Sequence, residues 1–118
     1  MKKILIVDDE AYIRRLYRDE LREEGYDVLS AGGGEEALQM FDRERPDVVV
    51  LDIRLPDRDG LDVLGQMLSR RRDAHVVLNS AYPSYRGDFQ SWGADAYVVK
   101  SSDLRELKKT INTVLAGA

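Results

Sequence analysis

Two four-residue aliphatic runs, Ile4-Leu5-Ile6-Val7 and Val48-Val49-Val50-Leu51, constrain the fold more than any other feature of the chain. Neither run alternates with polar residues, and the second has three β-branched members. Such a run suits a strand covered on both faces, the situation of a parallel sheet between layers of helices. Both runs end in acid, Asp8-Asp9-Glu10 after the first and Asp52 after the second. A carboxylate there sits where a buried strand opens onto the mouth of a parallel sheet. Pro56 and Asp59-Gly60 then predict a loop. Taken alone, Asp52 reads more readily as a cap for the helix that follows, so the other strand ends decide its role.

The rest of the chain supplies them. Ile13, Leu16, Tyr17 and Leu21 fall at helical spacing within 11–24, and Gly25 predicts the stop. Asp27-Val28-Leu29-Ser30-Ala31 reads as a short strand. Gly32-Gly33-Gly34 leads into a helix with Glu35 and Glu36 in its first turn, with Gly33 or Gly34 near the cap, and Pro46 bars its continuation. A third helix is predicted over 60–70. The Arg70-Arg71-Arg72 run at its end reads as a solvated helix terminus rather than a binding patch. His75-Val76-Val77-Leu78-Asn79 and Ala96-Tyr97-Val98-Val99 are the fourth and fifth strands, with the only histidine expected at the surface. A last helix spans 103–115, with Asp103 and Glu106 spaced like a capping pair. Five strands alternating with five helices over short connections give a doubly wound α/β fold with a parallel sheet.

Size and composition agree. At 118 residues, 43% hydrophobic and 34% charged, the chain fits one soluble domain with a core of its own. The absence of cysteine excludes disulfides and thiolate chemistry and suits a reducing cytoplasm. A net charge of −4 argues against direct nucleic-acid binding. No apolar stretch approaches the roughly 20 residues that span a bilayer, and the four aliphatics after Lys3 are too few for a signal peptide.

Collected at one sheet edge, the strand ends deliver Asp8 and Asp9, Asp52, Ser80 and Lys100. Carboxylates so placed repel, by roughly 4 kcal/mol per pair at about 4 Å and an effective dielectric near 20. A hard divalent cation relieves that repulsion, and oxygen ligands point to Mg²⁺ keeping several waters. Lys100 adds a point charge suited to a phosphate oxygen, and Ser80 a hydroxyl. Acid-held metal, carboxylate nucleophile, lysine and hydroxyl make a phosphoryl-accepting site.

The same residues carry a family resemblance. Ile4-Leu5-Ile6-Val7-Asp8-Asp9-Glu10, Gly34-Glu35-Glu36-Ala37-Leu38, Pro46-Asp47-Val48-Val49-Val50-Leu51-Asp52-Ile53-Arg54-Leu55-Pro56, Asp59-Gly60-Leu61, Ser80-Ala81-Tyr82 and Gly93-Ala94-Asp95-Ala96-Tyr97-Val98-Val99-Lys100 resemble a two-component response-regulator receiver domain. The likeness covers nearly the whole chain and implies a flavodoxin-like (βα)5 sandwich with sheet order 2-1-3-4-5. It implies Asp52 as phosphoacceptor, Asp9 as a direct Mg²⁺ ligand, Asp8 helping through water, and the Arg54 carbonyl completing the set with Asp52. Lys100 would contact the phosphoryl group, Ser80 would be the switch hydroxyl, and Tyr97 the aromatic rotor coupled to it. The side chains of Arg54 and Tyr82 occupy positions that tune phosphoryl lifetime in this family.

As partners the resemblance implies a histidine kinase or histidine phosphotransfer protein as donor. Beyond its own phosphorylation and dephosphorylation it implies no enzyme activity. The chain stops just after the last helix, so 1–118 is expected to be a receiver without an output domain, signalling to a protein in trans or excised from a longer regulator. Three rival readings remain. An aspartyl phosphatase usually carries an acid two residues after its nucleophile, where this chain has Arg54. A nucleotide-binding domain lacks its glycine fingerprint here, because the three glycines follow the second strand. A pseudo-receiver would keep the fold and signal without phosphate.

Two departures from the family pattern set further expectations. Ser101 replaces the proline that usually follows the lysine through a cis bond, and Ser102 replaces an aromatic residue. The Lys100-Ser101 bond is therefore expected to be trans with a rearranged loop, or cis and held by its surroundings. The stretch from Ser80 to Lys100 is two residues short, so the fourth helix is expected to be short, shifted or partly unwound.

Overall fold

In the computed structural model, which describes residues 1–83 and 87–117, the aliphatic runs become the interior strands of one parallel sheet. The strands are β1 (Lys3–Val7), β2 (Asp27–Ala31), β3 (Val48–Leu51), β4 (Val76–Ser80) and β5 (Ala96–Val99). Their order is β2-β1-β3-β4-β5, all pairs parallel, so β2 and β5 are the edges. The helices are α1 (Ala11–Glu23), α2 (Gly34–Glu44), α3 (Gly60–Arg70) and α4 (Arg105–Ala116). The expected doubly wound architecture and strand order are both present.

Burial on both faces explains the unbroken hydrophobic runs. Leu5, Val7, Val49, Leu51, Val76 and Leu78 point into one core with Leu38, Phe41, Val63, Leu64 and Met67 of α2 and α3. Ile4, Ile6, Val48, Val50 and Val77 point into the other, with Ile13, Tyr17, Leu21, Leu107 and Ile111 of α1 and α4. Successive strand residues face opposite layers, so every position of an interior strand needs an apolar side chain. Ends are set locally. Gly33 is the α2 cap, and Arg45, in the left-handed region at φ 49°, closes α2 one residue before Pro46.

Three sequence expectations are corrected. The first is the count of five helices, because four α-helices form among the described residues. Between β4 and β5 the described residues include a 3-10 turn, Phe89–Trp92, in line with the expected short or partly unwound fourth helix, while residues 84–86 fall outside the described set. Phe89 and Trp92 are three apart, the repeat of a 3-10 helix, and both pack on the first core. Gly93 ends the turn at φ 88°, and a Cβ there would come 2.7 Å from Leu68 Cδ1.

At the start of α4 the cap position is Leu104. Asp103 instead accepts the Arg105 N–H at 3.0 Å and pairs with its guanidinium at 2.6 Å, which replaces the expected Asp103–Glu106 capping box. The arginine run is not simply solvated. Arg70 pairs with Asp42 of α2 at 2.5 Å; Arg71 donates to the Pro46 carbonyl at 2.6 Å and lies 4.7 Å over the Phe41 ring. These contacts staple α3 to α2. His75 is partly exposed, as expected of a surface residue, with Nδ1 3.4 Å from Asp95.

Candidate functional site

The carboxyl ends of β1, β3 and β5 meet at one edge, and the side chains there converge on Lys100. Its ammonium sits 2.7 Å from Asp8 Oδ2 and 2.8 Å from Asp52 Oδ2. The peptide bonds among the described residues are all trans, Lys100-Ser101 included, and the lysine still reaches both acids. Its backbone explains part of this, because the Lys100 N–H donates to the Ser80 carbonyl at 2.8 Å and extends the β4–β5 ladder past the last paired residue.

Asp52 is 6% exposed. Its N–H donates to the Val7 carbonyl at 3.0 Å, and its Oδ1 accepts the Arg54 N–H at 3.1 Å. Burial raises the Asp52 carboxyl above its ordinary pKa, against the hydrogen bonds of Lys100 and Arg54, which lower it. Burial pulls the Lys100 ammonium down, but its bonds to Asp52 and Asp8 outweigh that and leave it raised. The lysine thus lies as a cation between two acids. Gly60 makes the loop possible. Its N–H donates to the Ile53 carbonyl at 2.7 Å, and a Cβ there would come 2.3 Å from the Asp52 carbonyl oxygen.

Asp8 is 2% exposed, and its Oδ1 accepts the Glu10 N–H at 2.9 Å, which folds the β1–α1 turn. Carboxylate oxygens of Asp8, Asp9 and Glu10 lie within 4.8 Å of one another, the latter two exposed. Octahedral Mg²⁺ with ligands at about 2.1 Å spaces its oxygens roughly 3–4 Å apart, so this hard-oxygen set fits one such ion. Asp52 stands outside that trio and is joined to it through Lys100. Glu10, quoted in the sequence only as part of a motif, is thus a third acid at the site. A second unforeseen residue is Arg14 on α1, whose Nη1 donates to the Asp8 carbonyl at 2.7 Å. Only its place four residues after Glu10, at helical spacing, hinted at it.

The remaining candidates gather around Tyr82. Ser80 is the last residue of β4, one position later than expected, and is fully buried. Its Oγ accepts the Tyr82 N–H at 3.2 Å. The Tyr97 hydroxyl donates to the Tyr82 carbonyl, and Tyr97 is 6% exposed. The Tyr82 ring, 42% exposed, lies 4.2 Å under the Arg54 guanidinium, a cation–π contact across the mouth. Asp9, Glu10, Asp52, Arg54, Ala81, Tyr82 and Lys100 line a cleft of about 190 Å³.

The loop that carries Asp52 and Arg54 is fastened at its far side. Asp57 Oδ1 and Oδ2 accept the Gly34 and Glu35 N–H groups at 2.8 and 3.0 Å, capping α2 from another segment, and these bonds hold its carboxyl below the usual range. Arg58 adds a 2.6 Å pair with Glu35.

Comparison with known proteins agrees with this geometry. Residues 4–112 match the family model described as response regulator receiver domain. A probable transcriptional regulator ycf27 of Porphyridium aerugineum is 44% identical over 97% of this chain and 48% of its own length. The alkaline phosphatase synthesis regulatory protein PhoP of Bacillus subtilis is 36% identical over 97% and 48%. The chain therefore spans about half the length of these curated relatives. Among solved structures, the response regulator TrrA of Thermotoga maritima, in complex with Mg²⁺-BeF, superposes with TM-score 0.91 at 47% identity, covering 97% of this chain and 99% of that one. TrrA bound to the histidine kinase ThkA superposes with TM-score 0.90 at 48% identity, covering 98% and 99%. The chain belongs to the response regulator receiver domain family.

Proposed function

We propose that this receiver works as a phosphorylation-dependent switch, with Asp52 accepting a phosphoryl group from a phosphohistidine donor. The observation that carries the reading is the Lys100 ammonium between buried Asp8 and Asp52, beside the oxygens of Asp9 and Glu10. An Asp52 oxygen attacks phosphorus, the P–N bond breaks, and its electron pair leaves with the donor imidazole, which takes up a proton. Lys100 stays protonated and follows the charge from carboxylate to phosphoryl oxygen. Asp8 and Asp9, with the Arg54 carbonyl and Asp52, are the proposed holders of Mg²⁺, and the closeness of the Glu10 carboxylate to Asp8 and Asp9 supports it as a further one. When bound, the ion supplies positive charge to the phosphoryl oxygens.

Phosphorylation takes Asp52 from about one negative charge to nearly two. Ser80 then exchanges the Tyr82 N–H for a phosphoryl oxygen. Tyr97 follows, because its hydroxyl shares Tyr82 as a partner. Arg54 and Tyr82, stacked across the mouth, set how readily water reaches the phosphoryl group. The structures of TrrA with Mg²⁺-BeF and with a histidine kinase support the cation and the class of donor. On this reading 1–118 is a receiver in the cytoplasm that catalyses only its own phosphorylation and dephosphorylation and passes the signal to a protein output partner. No helix among the described residues is long and apolar enough to cross a membrane.

Incubation with acetyl phosphate and Mg²⁺, followed by intact mass, tests the reading. One phosphoryl adduct on the wild type and none on Asp52→Asn is expected. An unmodified wild type, or an equal adduct on the variant, overturns it.

A further inference from the structure

A buried polar pair lies in the α1–α4 core where purely apolar packing would serve. Tyr17 of α1 and Asn79 of β4 are each 2% exposed. The Tyr17 hydroxyl donates to Asn79 Oδ1 at 2.6 Å, and Asn79 Nδ2 donates to the Val98 carbonyl of β5 at 2.9 Å. These two hydrogen bonds join three elements, α1, β4 and β5. Such a pair contributes little net stability over well-packed aliphatics, but removing one partner leaves the other buried and unsatisfied. Its use is to fix one arrangement.

What it fixes is the pair of strand ends that serve the site. Asn79 precedes Ser80, and its register partner Val98 lies two residues before Lys100. Strand β5 is an edge, held to the sheet on one side only, so its carboxyl end is the least restrained of the site's supports. Among the described residues only the Lys100 N–H to Ser80 carbonyl bond continues the ladder beyond Val99, and the residue after Lys100 is Ser101 rather than the rigid proline of the family pattern. The Asn79 carboxamide adds a side-chain stitch across β4 and β5, and the Tyr17 phenol braces it from the helix.

We propose that Tyr17 and Asn79 are positioning residues that aim Lys100 at Asp52 by pinning β5 to β4 and α1. The inference rests on phosphoryl acceptance at Asp52, and its test separates the two. The initial rate of adduct formation from acetyl phosphate is measured against donor concentration for wild type, Tyr17→Phe and Tyr17→Phe/Asn79→Leu, each at a temperature where circular dichroism shows it folded. The double variant swaps the polar pair for apolar groups and keeps the core filled, so it remains informative if the single variant folds poorly.

The maximum rate is expected to fall about tenfold in both variants, with the half-saturating donor concentration unchanged. In a Lys100→Ala background the same substitutions are expected to change the rate less than about twofold, because the group they aim is gone. Wild-type rates in the folded variants overturn the positioning role, and so does an equal loss with and without Lys100. An absent adduct on the wild type overturns the phosphoacceptor reading, and the inference falls with it.

Discussion

Tyr17 shows how one hydroxyl changes the character of a core position. By periodicity it is one more member of the apolar stripe of α1, and burial of the ring agrees with that. Burial also pushes its phenol from 10.0 up to about 12, with Lys100 lowering it and Asp8 raising it by smaller amounts. A raised folded pKa means that the neutral phenol stabilises the fold fully below pH 10, and that this contribution is lost as pH rises from 10 toward 12. Two pH units correspond to roughly 2–3 kcal/mol. Denaturant midpoints are therefore expected to fall more steeply across that alkaline window in wild type than in Tyr17→Phe, even though the variant starts lower by about 1–3 kcal/mol for the Asn79 oxygen it orphans. The pairing was not legible in the sequence. Tyr17 and Asn79 are 62 positions apart, and neither belongs to a local motif. Asp8, Asp9, Asp52 and Lys100 were legible because each comes within two residues of the end of an unbroken apolar run, and the topology of a parallel sheet brings such positions together.

At the scale of elements, the five strands and the four α-helices could be read directly from the sequence, since burial on both faces leaves no ambiguity in runs such as Val48-Val49-Val50-Leu51. What failed was punctuation decided by distant partners. The α4 cap went to Leu104 because Asp103 was taken by Arg105, and the described segment before β5 closed as a 3-10 turn whose Phe89 and Trp92 pack on the core. The cap of α2 is the clearest case. Its N–H groups are met by Asp57, from a loop 22 residues and more away in sequence. Asp57→Ala is expected to speed amide exchange at Gly34 and Glu35 while the protected amides of β1 and β3 stay slow, and to lower the thermal midpoint modestly. Equal exchange at those two amides in variant and wild type would show that water or another group caps the helix equally well. The contact matters beyond α2, because Asp57 belongs to the loop that begins at Asp52.

For the whole molecule, the site is a place where the fold gathers more acid than a single lysine neutralises. Asp8, Asp9, Glu10 and Asp52 lie at one edge, and the cationic Lys100 stands between two of them. A cation that binds only the folded state stabilises it by linkage, by about 2.7 kcal/mol at a hundredfold excess over its dissociation constant. Millimolar Mg²⁺ is therefore expected to raise the unfolding midpoint, a chelator to reverse the gain, and Asp9→Asn to lose most of it. An unchanged midpoint in wild type would remove Mg²⁺ from the site. The 3-10 turn has an optical consequence as well. It holds Trp92, the only tryptophan of the chain, half-buried against the core that contains Tyr97. Because Trp92 packs on the core to which Tyr97 belongs, phosphorylation is expected to shift its emission, which steady-state fluorescence reads without a label.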